Sequence, residues 1–294
     1  MKKIYFQFPL MLLLLMSMPL HAAKWTTSKS ASISTVFSDN IDLENDAAAD
    51  SGTTVEIRPS VGIQGEGARL QLDFNYSLGA VFNNGSDDSD DFEDSHFLNA
   101  VASIEAIEDN LFIDVNANAG ISLIDSTDTI APDINAGSNN TTQTYSLSVS
   151  PYARYHFGTF ADGTLRYNTD TFSTGTSGND SDMTEWSLSL DSGRRFQVMT
   201  WGLSASYSDL SYDNDTNDEK TNVNSNFQYQ LNRKFSLDFG LGYENYELDN
   251  ELNDYDDTEG MTWDVGTTWT PNPRTTLKVS YGDDILGGNW SMDF

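Results

Sequence analysis

The sequence predicts an all-β protein, a transmembrane up-and-down antiparallel β-barrel of about 14 strands, within a range of roughly 12–18. Three observations predict it. The first is period-two alternation. Leu70, Leu72, Phe74, Tyr76, Leu78, Ala80 and Phe82 share one parity, while Arg69, Gln71, Asp73, Asn75, Ser77 and Gly79 share the other. Such a stretch is a strand with two chemically different faces. It is longer than the roughly 5–6 residues usual in soluble proteins and long enough to cross an outer membrane, which takes about 9–11. The second observation is that long polar connections alternate with short turns along the chain, as in barrels with long outer loops and short periplasmic turns. The third is an N-terminal block with Lys2 and Lys3, an apolar run from Phe6 to Leu20, and His21-Ala22-Ala23. That order reads as a Sec signal peptide over residues 1–23, leaving residues 24–294 as one barrel domain.

The elements follow in order. A first strand carries Ala31, Ile33, Thr35 and Phe37 on one side, and a polar stretch from Asp39 to Ser51 follows. Val55, Ile57, Pro59, Val61 and Ile63 then alternate, and Gln64-Gly65-Glu66-Gly67 turns the chain into the Leu70–Phe82 strand, giving a β-hairpin. Asn83–Asp94 is polar. Leu98, Ala100, Ala102, Ile104 and Ala106 form the next face, and Glu108-Asp109-Asn110 is a tight turn into Leu111–Leu123. Beyond the Asp125–Thr141 loop, Tyr145, Leu147, Val149, Pro151, Ala153, Tyr155 and Phe157 align. Pro151 lacks an N–H, so an edge or a bulge is expected there. Gly158–Gly163 turns into Thr164–Ser173. Trp186, Leu188 and Leu190 precede the turn Asp191-Ser192-Gly193-Arg194, and Met199, Trp201, Leu203, Ala205 and Tyr207 follow it. Asp209–Lys220 reads as a loop. Two further hairpins turn at Asn232-Arg233-Lys234 and at Pro271-Asn272-Pro273-Arg274, separated by the acidic stretch Asp249–Glu259. The last strand ends in Trp290, Met292 and Phe294, an alternating apolar terminus that we read as the signal for the outer-membrane assembly machinery.

Composition narrows the function classes. The chain has 294 residues, no cysteine, 45 acidic and 15 basic side chains, and a net charge of −30. Without cysteine there are no disulfides, thiol nucleophiles or thiolate metal sites. The acidic balance excludes a nucleic-acid footprint. Acids concentrate in the long loops and bases near the short turns, so the outer mouth is expected to be acidic and to favour cations. Asp213–Glu219 begins like a calcium loop but lacks the glycine and the bidentate glutamate of an EF-hand, so no metal site is assigned. His156 shares a parity with Ser146, Ser148 and Arg154, yet no nucleophile elbow marks a hydrolase. We expect no enzyme, no catalytic residue and no cofactor. The tryptophans and tyrosines on the apolar parity are expected to be interfacial girdles.

The polar parity supplies candidate lumen-lining residues: Arg58, Arg69, Gln71, Asp73, Asn75, Asp114, Asn116, Asn118, Arg154, His156, Arg166, Asp238, Asp264 and Lys278. Amide and hydroxyl rows suit hydroxylated solutes, and paired charges can hold a constriction or close a narrow barrel.

A resemblance extends this reading. Asp39-Asn40-Ile41-Asp42-Leu43, then Arg58-Pro59-Ser60-Val61-Gly62-Ile63-Gln64-Gly65-Glu66-Gly67-Ala68-Arg69-Leu70, then Tyr76-Ser77-Leu78 is similar to the start of the β-barrel porin 2 family. That family includes outer-membrane β-barrel proteins associated with PEP-CTERM (exosortase) systems. The match is most specific from Asp39 to Phe82. It implies a porin-like barrel in the bacterial outer membrane, tied to exopolysaccharide export or biosynthesis, with a periplasmic polysaccharide export protein as a partner. The other reading is a structural or adhesive barrel whose acidic loops bind partners, lipopolysaccharide or divalent cations. On either reading the barrel sits among outer-membrane lipids and lipopolysaccharide.

Overall fold

The computed structural model describes residues 23–40, 51–84, 92–124, 140–175, 180–213, 216–249 and 258–294. Residues 1–22 of the expected signal peptide, most of the first long loop and parts of the other long loops lie outside the described residues.

Fourteen strands form one antiparallel sheet in sequence order. They are β1 (Lys24–Ser38), β2 (Gly52–Glu66), β3 (Leu70–Asn84), β4 (Phe92–Ile107), β5 (Leu111–Leu123), β6 (Thr141–His156), β7 (Ala161–Thr174), β8 (Ser181–Ser192), β9 (Met199–Tyr212), β10 (Asn217–Asn232), β11 (Phe235–Asp249), β12 (Thr258–Asn272), β13 (Thr275–Asp284) and β14 (Gly287–Asp293). An up-and-down meander of this length, with one apolar and one polar face, is the architecture of an outer-membrane β-barrel. Each strand pairs with its sequence neighbours. β1 pairs only with β2 and β14 only with β13, so these two are the edges of the sheet.

Strong alternation fixes the register, because a one-residue slip would exchange the faces. Across β9 to β12, for example, Trp201, Phe227, Phe239 and Val265 stand in one row on the apolar face. One row along, Gly202, Asn226, Gly240 and Asp264 stand on the polar face. The apolar face stays exposed at Leu203, Phe227, Leu237, Phe239, Leu241 and Val265. An exposed apolar belt over so many strands is a surface for lipid rather than water.

Two expectations needed revision. Pro151 lies in an interior strand, not at an edge. The β6–β7 ladder lapses between Val149↔Thr169 and Tyr152↔Arg166, while Pro151 stays in register with Ile113 on the β5 side. A proline removes only its own donor, so one flank gives way and the other holds. The acidic stretch Asp209–Lys220 is also largely strand, and the acidic run that begins at Glu244 starts inside one. β9 runs to Tyr212, β10 starts at Asn217 and β11 reaches Asp249. Ladder bonds need only backbone groups, so polar side chains do not end a strand that already has neighbours.

Glycines on the polar face admit large side chains from adjacent strands. A Cβ on Gly79 would run into Ser95 Oγ and come within 2.8 Å of Glu56 Oε1. Ser95 and Glu56 are both buried. Gly79→Ala should therefore destabilise the sheet by about 1–3 kcal/mol through overpacking. Urea unfolding followed by tryptophan fluorescence would show this as a lower midpoint, and an unchanged midpoint would contradict the packing.

Candidate functional site: the polar face

Ladder register assigns every strand residue to a face. Arg58, Gln71, Asp73, Asn75, Asp114, Asn116, Asn118, Arg154, His156, Arg166, Asp238, Asp264 and Lys278 all share the polar face. Arg69 does not lie in a strand. It sits in the turn between β2 and β3 and pairs with Glu108 in the turn between β4 and β5. That pair ties two adjacent turns together instead of lining the sheet. The alternation carried through Arg69 because the turn is short enough not to disturb the count.

The face holds four groupings. At β2–β4, the Arg58 guanidinium donates to Glu56 Oε1 from Nε at 2.8 Å and Nη2 at 2.6 Å, and lies 4.2 Å from the Phe97 ring centroid. The Glu56 side chain is 10% exposed, so this ion pair is well shielded from solvent. An amide row crosses β3 to β5. Asn75 Nδ2 donates to Asp73 Oδ1 at 2.6 Å, Asn99 Nδ2 to Asn118 Oδ1 at 3.0 Å, and Asn118 Nδ2 to Asn116 Oδ1 at 2.9 Å. Beside it is a hollow of about 290 Å³, lined in part by Asn116, Asn118, Ser148, Asp170, Phe172 and Met183.

The third grouping lies nearer the short turns. Phe112 and Tyr152 stack at 5.1 Å with planes 15° apart. The Arg166 Cζ lies 4.0 Å from the Tyr152 centroid, and the Arg154 Cζ lies 5.0 and 5.1 Å from the Phe112 and Tyr152 centroids. Arg166 Nη1 donates to Ser150 Oγ at 2.6 Å and lies 3.6 Å from Asp114 Oδ2, while Ser103 Oγ donates to Asp114 Oδ1 at 2.9 Å. The fourth is at the end of β6, where His156 Nδ1 faces Asp162 Oδ1 at 2.5 Å. Ser146 and Ser148 lie well up the strand, and Ser148 Oγ turns to Asn168 Oδ1 at 3.4 Å.

Sequence reading missed apolar members of this face, among them Phe97, Phe112, Tyr152, Phe172, Met183 and Leu210. Phe112 and Tyr152 carried a usable signal, since they share parity with Asp114 and Arg154. Met183 and Leu210 share the polar parity of their strands too, but that they stand opposite one another follows only from the β8–β9 register.

The apolar face ends in a belt of tyrosines at the long-loop end. Tyr207 Oη donates to Glu219 Oε2 at 3.0 Å and Tyr243 Oη to Glu259 Oε2 at 2.5 Å. The Tyr76 hydroxyl lies 2.8 Å from His96 Nδ1, whose Nε2 lies 3.2 Å from Asp94 Oδ2. Rings in the belt with hydroxyls on polar partners suit a membrane interface. Basic side chains mark the other end: Arg194 and Arg195 between β8 and β9, Arg233 and Lys234 between β10 and β11, and Arg274 between β12 and β13.

No family model matches the chain, and no curated protein matches it. Solved structures do. A loop-deletion mutant of OmpT, an outer membrane protein of Vibrio cholerae, aligns at 12% identity and a TM-score of 0.37, covering 92% of this chain and 95% of that one. The outer membrane channel DcaP of Acinetobacter baumannii aligns at 12% identity and 0.41, covering 93% and 95%. OpdQ of Pseudomonas aeruginosa aligns at 8% and 0.28, covering 92% and 94%. At these values the likeness is one of strand architecture, and the functional reading rests on this chain's own two faces.

Proposed function

We propose that this chain is a porin-like pore of the bacterial outer membrane, with the polar face as its lumen, passing small hydroxylated solutes or polymer. The observation that carries the reading is the amide, hydroxyl and charged surface across β3–β9, with a few rings and apolar side chains set into it, opposite a lipid-suited belt. The likeness of Asp39–Phe82 to exosortase-associated porins supports an exopolysaccharide as cargo and a periplasmic polysaccharide export protein as partner. Along the face, carboxylates that include Glu56, Asp73, Asp114, Asp170, Glu185, Asp218, Asp238 and Asp264 outnumber the bases Lys24, Arg58, Arg154, Arg166, Lys220 and Lys278, so the pore should prefer cations.

Planar-bilayer recording tests this. A steady, cation-preferring conductance is expected. Asp170→Asn with Asp218→Asn should lower the preference at about 0.1 M salt, with the difference fading at about 1 M as screening shortens. Arg69→Ala should change little, since Arg69 sits in a turn. A silent bilayer with correctly folded protein would refute an open pore.

The carboxylates beside the tyrosine belt favour a second reading, in which the outer rim binds lipopolysaccharide through divalent cations. Calcium should then raise the melting temperature and a chelator should lower it. Identical melting in both would exclude that role.

A further inference from the structure

Of the three arginines on the polar face, Arg58 and Arg166 each face a carboxylate, Glu56 and Asp114. Arg154 differs. Among the described residues its guanidinium meets two ring faces and no carboxylate. The side chain is exposed, while Tyr152 beneath it is buried at 7% exposure. A guanidinium held by ring faces keeps its N–H donors free at its edge. That planar fork matches carboxylate and phosphate oxygens, and Lys does not reproduce it. The neighbouring charges are already engaged. Asp114 takes Ser103 and Arg166, Asp162 takes His156, and Glu105 Oε1 accepts the Asp109 N–H at 2.6 Å.

We propose that Arg154, seated on the Tyr152–Phe112 stack with Arg166 alongside, is a binding station for the oxyanion of a sugar-sized solute. The inference rests on the reading of the polar face as a lumen. It adds a local anion site to a face that is acidic elsewhere. Arg154 stands near the short-turn end, so an anionic solute reaches it from the periplasmic side without first crossing the acidic outer mouth. The stacked rings hold the fork in place and limit the entropy lost on binding.

The test is isothermal titration calorimetry on the folded full chain in detergent, with glucuronate, glucose 6-phosphate and glucose as probes. Either anion should bind, glucose should not, and Arg154→Gln should weaken anion binding about tenfold or more. Preference for glucuronate assigns a carboxylate ligand, and preference for the phosphate assigns a phosphoryl one. Arg154→Lys keeps the charge and serves if Arg154→Gln fails to fold; it should bind more weakly than wild type. Absent anion binding, or binding unchanged in both variants, overturns the proposal. Because calorimetry needs no current, a silent bilayer would refute the open pore and leave this result standing by itself.

Discussion

Phe239→Arg should destabilise the barrel by about 2–4 kcal/mol, the cost of an arginine at the bilayer midplane of an outer-membrane barrel. Phe239 lies midway along the apolar residues of β11, between Phe227 on β10 and Val265 on β12. It is 44% exposed, so no protein core covers it. Gln228→Arg is the matched control, one residue along on β10 and on the opposite face. There the charge meets Asp238, to which Gln228 Nε2 now donates at 2.8 Å, and should cost under about 1 kcal/mol. Folding titrations into bilayers of both variants would measure the difference. Equal costs would mean that the apolar face does not contact hydrocarbon, and the lumen assignment would fall with it.

A disulfide between Ser291→Cys and Ser32→Cys should form and lock the barrel shut. Hydrocarbon cannot satisfy the free backbone groups of two open edges, so closure of β1 on β14 is required in the membrane. Both serines lie on the polar face. Followed strand by strand, a straight row of ladder bonds from Ser291 projects below the start of β1. A closed barrel tilts its strands by roughly 35–45°, which raises Ser291 to the stretch Ser30–Ser34. The native chain has no cysteine, so the background is clean. The bond should add about 2–4 kcal/mol and keep the oxidised protein at its folded gel mobility on heating. Pairing with Lys24→Cys should fail. Cross-linked dimers in place of the intramolecular bond would show that the edges pair between copies.

Much of this architecture could be read from the residues alone. Leu70–Phe82 alternates so regularly that only a two-faced strand fits it, and the structure gives β3 as Leu70–Asn84. The turn at Glu108-Asp109-Asn110 was also legible, and Asp109 adopts φ 59°, a left-handed conformation that aspartate tolerates better than most residues. The strand ends were harder to place. Asp218, Glu219, Glu244 and Glu247 look like loop residues but sit in ladders, because a strand already hydrogen-bonded to neighbours extends at little further cost.

The sequence alone determined the fold class, the two faces, and which polar residues lie on one side. Those follow from a period of two, which is local. Only the tertiary structure decided which of these residues meet. Arg154 and Phe112 lie on different strands, and their contact depends on the β5–β6 register. Arg58 finds Phe97 across two ladders, and Arg69 leaves the face to hold Glu108. Register arises from the summed packing of whole faces. No short stretch encodes it, so the pairing of cations with rings or carboxylates became visible only once the strands stood side by side.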